Sequence, residues 1–127
     1  KAFSGRIAPI LKLLFPGIPA KSPAMGAMTM NIIANMLGLG NAATPLGINA
    51  MKELQRLNRD KTVASDAMCM FLVINTSSVQ LIPATVIALR SAAGSANPTE
   101  IIGTTLIATL CSAVTGITAV FILKRFY

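Results

Sequence analysis

The chain has 127 residues, 54% of them hydrophobic, and a mean hydropathy of +0.68. Only 12% are charged, about half the share of a typical soluble domain, which marks a membrane composition. Eleven Lys and Arg against four Asp and Glu leave a net charge of +7. The basic residues sit mainly outside the apolar runs, without the basic–aromatic interleaving that single-strand binding needs, so they read as membrane anchors and headgroup contacts rather than as a nucleic-acid surface.

Residues 1–22 carry Lys1, Arg6, Lys12 and Lys21 among Ile7, Ile10, Leu11, Leu13, Leu14, Phe15 and Ile18. Pro9, Pro16 and Pro19 interrupt any long helix. The pattern predicts a short amphipathic helix near residues 3–14, lying at the interface or completing a span that begins upstream. No signal-peptide pattern is present.

Residues 23–39 are uncharged, with Pro23 suited to a first helical turn. At about 1.5 Å per residue they cover roughly 25 Å, slightly short of a bilayer core of about 30 Å. They form a short span or a re-entrant half-helix, and both routes stay open. Gly38 and Gly40 then break the helix. Thr44 followed by Pro45 reads as a new start, with Thr44 capping free N–H groups and Pro45 at the first position. This second helix runs to about Arg59 and leaves the apolar region through KELQRLNRDK, residues 52–61.

Residues 63–89 form the next apolar region. Asp66 stands near its start as an interfacial carboxylate or helix N-terminal charge. Asn75, Thr76, Ser77, Ser78 and Gln80 interrupt its middle, and Pro83 invites a kink. Arg90 ends it. The loop SAAGSANPTE closes on a Pro98/Thr99/Glu100 helix start. Residues 101–123 then hold no charge and read as a transmembrane helix. In it Ala108, Ser112 and Gly116 make a small-residue stripe for close helix packing. Lys124 and Arg125 stop it. Under the positive-inside rule, the 52–61 loop and the C-terminus are cytoplasmic and the 90–100 loop lies opposite. The expected fold is an all-α, polytopic membrane bundle with discontinuous or re-entrant helices.

Two polar clusters fall at membrane depth. Asn31, Asn35, Asn41 and Thr44 form one, with Asn31 and Asn35 on a shared helix face. Asn75, Thr76, Ser77, Ser78 and Gln80 form the other. Polar groups at mid-span are costly and normally face the bundle interior. Their amides and hydroxyls both donate and accept. They suit a polar neutral solute or a partly dehydrated ion, with Gly38 and Gly40 shaping the break. The competing reading is interhelical hydrogen bonding alone.

Enzyme chemistry finds little to work with. The chain has no His and no carboxylate pair on one helix face. Cys69 and Cys111 lie in apolar segments, where they read as small hydrophobes. The seven Met read as core filler or lipid-facing groups rather than a soft-metal path. No metal site and no cofactor are expected. GLGN lacks the full dinucleotide fingerprint.

Three segments together, NIIANMLGLGNAATPLGINAMKELQ (31–55), FLVINTSSVQLIPATVIALR (71–90) and SANPTEIIGTTLIATLCSAVTGI (95–117), resemble the spore maturation protein A family. These are integral membrane proteins of endospore-forming bacteria that carry a nucleoside-recognition, or Gate, domain. The resemblance covers nearly the whole chain and matches the C-terminal portion of the family protein, with further helices upstream. The matching motif positions are Asn35, Gly38, Gly40, Asn41, Thr44, Pro45, Asn75, Thr76, Ser77, Ser78 and Pro83. The resemblance implies a place in the forespore membrane and a role in dehydration of the spore core. It also implies a membrane partner similar to spore maturation protein B. A transport or channel-like component is the main expectation, and a non-transporting scaffold of a sporulation complex is the alternative. The domain label does not identify the solute.

Overall fold

A computed structural model describes residues 9–126. Positions 3–8 of the expected amphipathic helix lie outside this range. Residues 9–14 are helical (α1), and the Phe15 N–H donates to the Leu11 carbonyl before Pro16 and Pro19 turn the chain. Leu11 and Phe15 point into the core, while Ile10 and Leu13 are exposed.

Helix α2 spans Pro23–Met36. Ser22 caps it by accepting from the Met25 N–H at 3.2 Å, and Pro23 occupies the first turn, where it lacks nothing. Its end is closed by Gly38, whose φ of +70° only glycine adopts readily. The Gly38 N–H returns to the Asn35 carbonyl and the Leu39 N–H to the Ala34 carbonyl, the bond pair of a Schellman stop.

Helix α3 spans Gly40–Leu57. The expected start at Thr44/Pro45 is therefore corrected: the helix begins five residues earlier and holds Pro45 inside it. The Leu39 carbonyl accepts from the Ala42 and Ala43 N–H groups, which nucleates the first turn directly after the Gly38 stop. Pro45 is tolerated because its missing N–H would serve only the carbonyl of Asn41, an exposed residue next to the helix start. Thr44 does not cap; its hydroxyl donates back to the Gly40 carbonyl at 3.3 Å. At the far end Lys61 Nζ donates to the carbonyls of Gln55, Arg56 and Asn58, placing a cation on the negative helix terminus. The three-residue connection makes α2 and α3 an antiparallel hairpin.

Helix α4 spans Asp66–Ser77, capped by Ser65, with Asp66 in its first turn. It ends at Ser78, in the left-handed region at φ +30°. Helix α5 spans Ala84–Ala92, directly after Pro83. Residues 63–90 are thus two short helices around a break, a larger interruption than a kink. A 3-10 turn, Pro98–Glu100, leads into α6, Ile101–Leu123.

Helices α4 and α6 pack antiparallel. Asp66 pairs with Lys124 at 2.7 Å at one end. Toward the other, Gly116 lies so close to α4 that a Cβ there would stand 2.8 Å from Val73 Cγ1 and 2.9 Å from Ser77 Oγ. The expected small-residue stripe meets α4 only in part. Gly116 is at the contact and Ala113 is buried beside it, but Ala108 and Ser112 are exposed. Successive contact positions on a helix alternate spacings of three and four, and a strict four-residue spacing drifts off the face.

One core joins these parts: Leu11, Phe15, Met25, Met28, Ala50, Leu54, Met70 and Phe71. The described chain is all-helical. Among the described residues one segment, Pro98–Leu123, is long and apolar enough to cross a membrane, and only 6% of its most apolar stretch is buried. Large apolar side chains such as Leu13, Leu89, Ile107 and Val114 stand exposed along α1, α5 and α6.

Candidate functional site

The two helix breaks touch. The Met36 carbonyl, at the end of α2, accepts from the Leu81 N–H at 2.9 Å and the Ile82 N–H at 3.4 Å. Gly38 lies against the backbone of Ile82 and Ala84. The orphan carbonyl that any helix end exposes is thus satisfied by the irregular chain of the second break. The Gln80 N–H in turn donates to the Thr109 hydroxyl on α6 at 3.4 Å.

A chain of carboxamides runs beside this crossing. Asn31 is 2% exposed and donates through Nδ2 to the Ala43 carbonyl at 2.7 Å. Asn35 Nδ2 donates to Asn31 Oδ1 at 3.4 Å and to Asn75 Oδ1 at 2.6 Å. The last bond joins α2 to α4 across 40 positions of sequence. Asn31 and Asn35 share a face because four residues return a helix to nearly the same direction. Gly47 lets α3 come close: a Cβ there would meet Asn31 Nδ2 at 3.0 Å.

These carboxamides form the floor of an open groove of about 540 Å3 between α2, α3 and α4. Along α3 its wall is one continuous face: Gly40, Ala43, Thr44, Gly47, Ile48, Met51, Lys52 and Gln55, recurring every three or four residues. Phe71 and Leu72 close the α4 side. The groove therefore has amides at its base, mainly apolar walls and one ammonium.

Of the residues singled out from sequence, Asn31, Asn35, Gly40, Thr44 and Asn75 line this groove. The other six lie elsewhere. Gly38 is at the crossing of the breaks, where its lack of a side chain is a packing requirement. Asn41 is exposed on the first turn of α3. The Thr76 hydroxyl donates to its own helix, to the Leu72 and Val73 carbonyls at 3.0 Å. Ser77 faces Gly116, Ser78 makes the left-handed stop of α4, and Gln80 ties the break to α6 through its backbone. The two clusters therefore meet through one side chain each, Asn35 and Asn75, not as whole segments. Lys52 and Gln55 were missed because they open the strongly polar run 52–61. The usable signal was the i, i+3, i+4 recurrence that carries the groove face onward from Gly40.

A second groove, about 440 Å3, lies at the basic end, where Leu54, Arg59, Asp66, Met70, Phe121 and Lys124 line one surface. The 58–65 loop and the C-terminal end of α6 thus stand together. In that loop the Thr62 hydroxyl and N–H donate to Asp60 Oδ1 at 2.6 and 2.9 Å and hold its carboxyl below its ordinary value of 3.8. Among the described residues, no three His, Cys, Asp or Glu stand together as a metal-binding group.

Spore maturation protein A of Bacillus subtilis (strain 168) is 50% identical to this chain over 125 residues, which is 98% of the chain and 62% of the relative. The chain spans less than two thirds of that relative's length. No family model matches the chain, and no solved structure matches it. At half identity over nearly its whole length, the chain belongs to the spore maturation protein A family.

Proposed function

We propose that this chain is part of an integral membrane protein of spore maturation in which the two broken segments hold a path for a small solute or ion. The observation that carries this reading is the Asn31–Asn35–Asn75 carboxamide chain at the base of an open groove, beside two breaks that hydrogen-bond to each other. Irregular backbone at membrane depth is tolerated where it is buried in protein or lines a cavity, and paired discontinuous helices are a recurrent way of building a mid-membrane site.

Membrane insertion is supported by the length, hydropathy and exposure of α6. Its 23 residues span about 35 Å, enough for a core of about 30 Å. We place the protein in the cell or forespore membrane as a polytopic bundle of the Gate type. Its basic end, with Arg59, Lys61, Lys124 and Arg125, faces the cytoplasm. A membrane partner similar to spore maturation protein B completes the assembly, and dehydration of the spore core is the process served.

A second reading has its own observation. Asn35 and Asn75 pair with each other at 2.6 Å, as expected if carboxamides serve only to hold helices together in a scaffold. Flux into vesicles carrying the full-length protein, with and without the partner, separates the two. The panel is nucleosides, divalent ions and small spore solutes. Asn35→Ala with Asn75→Ala abolishes flux at unchanged insertion if the groove is the path, while Asn41→Ala leaves it intact. No flux of any solute under either condition replaces the transport reading with the scaffold.

A further inference from the structure

Resting on the transport reading, we infer that the groove selects by charge and takes a small organic anion, with Lys52 as the residue that sets the preference. Among the described residues that line the groove, Lys52 is the one ionisable group, and no carboxylate faces it. The adjacent acid on α3, Glu53, lies off the groove face and is held by Arg56 at 2.6 Å. The carboxamides of the floor both donate and accept and so serve either charge, and Asn35 Nδ2 is already committed to Asn31 and Asn75. The α3 wall begins at Gly40, on a helix start with no acidic residue and no side-chain cap, and this end and the Lys52 ammonium favour negative charge over positive. A metal cation finds neutral amide oxygens there and an ammonium, a poor set for a hard ion that needs several oxygen ligands.

The ammonium is exposed, so its effect is the water-screened one. A unit charge about 4 Å away is worth about fivefold in affinity in each direction. Benzoate, benzamide and benzamidinium share one shape and differ in charge. Their binding to the full-length protein in phosphatidylcholine nanodiscs at low salt, by ligand-observed NMR, tests the inference. The expected order is benzoate, benzamide, benzamidinium, with about fivefold between neighbours. Lys52→Gln removes the spread and Lys52→Glu reverses it, while Lys21→Gln, before α2 and away from the groove, changes nothing. Asn35→Ala weakens all three together, which separates the floor from the charge filter.

Benzamidinium binding as tightly as benzoate overturns the inference, and so does a benzoate preference that survives Lys52→Glu. Absence of binding by all three overturns it as well. Vesicle flux lost on changing Asn35 and Asn75 would then show that the transport reading stands without it.

Discussion

Gly38→Ala tests whether the contact between the two breaks is a fixed part of the fold. Two penalties add at this position. The residue sits at φ +70°, which costs an L-residue about 1–2 kcal/mol. The new Cβ would also stand 2.3 Å from the Ile82 carbonyl oxygen and 2.8 Å from the Ala84 nitrogen. Both are backbone atoms and neither can rotate away. Overpacking of this kind typically costs about 1–3 kcal/mol, so the substitution should destabilise by about 2–5 kcal/mol. Because the same movement pulls Leu81 and Ile82 away from the Met36 carbonyl, a groove path fails with it. Gly26→Ala is the matched control: it lies inside α2, a Cβ there meets nothing within 4 Å, and helix propensity predicts a gain of up to about 1 kcal/mol. The assay is thermal unfolding of the purified full-length protein in detergent, read by circular dichroism. Equal midpoints for Gly38→Ala and the wild type would refute the argument, since neither the strain nor the clash has another way to vanish.

Gly116→Ala is a milder test of the same kind, because the Cβ meets the side-chain atoms Val73 Cγ1 and Ser77 Oγ; about 1 kcal/mol is expected, and Val73→Ala should recover it. A double-mutant cycle on Asn35 and Asn75, read by the same unfolding assay, should give a coupling of about 0.5–1.5 kcal/mol; strict additivity would mean that the 2.6 Å bond does not hold α2 to α4 in solution. At the basic end, NMR titration should find the Asp60 carboxyl below 3.8, and Thr62→Val should raise it by removing the hydroxyl donor. Since the folded value is the depressed one, the turn's stabilisation is complete above the unfolded value and is lost as pH falls through the folded one. An unchanged titration in Thr62→Val would assign the shift elsewhere.

The sequence announced helix ends where a local group makes them. Ser22 and Pro23 start α2, Gly38 stops it, and the charge-free run between Glu100 and Lys124 leaves α6 no earlier place to end. The start of α3 misled because Thr44–Pro45 is a good local signal, yet the Gly38 stop had already oriented the Leu39 carbonyl to begin a helix. The same limit applied to the site. Asn31 and Asn35 were readable as one face from their spacing. That Asn75 meets them, while Ser77 turns to Gly116 and Asn41 turns outward, depends on how α4 lies between α2 and α6. No window of adjacent residues contains that.

The crossing of the breaks bears directly on how such a site could work. A helix interrupted in apolar surroundings leaves backbone groups without partners, each costing several kcal/mol in lipid. Here the carbonyl orphaned at Met36 is satisfied by N–H groups of the second break, and Asn35 carries the same linkage through side chains to Asn75. Displacing α4 and α5 from α2 would therefore expose the Met36 carbonyl and the Asn75 carboxamide together. On the proposed transport reading, a solute that enters the groove and bonds to the carboxamides offers replacement partners for the side-chain half of that linkage while leaving the backbone half in place. The energetic case for movement thus rests on the Asn pair, and the case for a rigid frame rests on Gly38 and Met36. A variant that loosens the first without touching the second, such as Asn75→Ala, should alter solute handling far more than it alters folding, by no more than about 1–3 kcal/mol of stability.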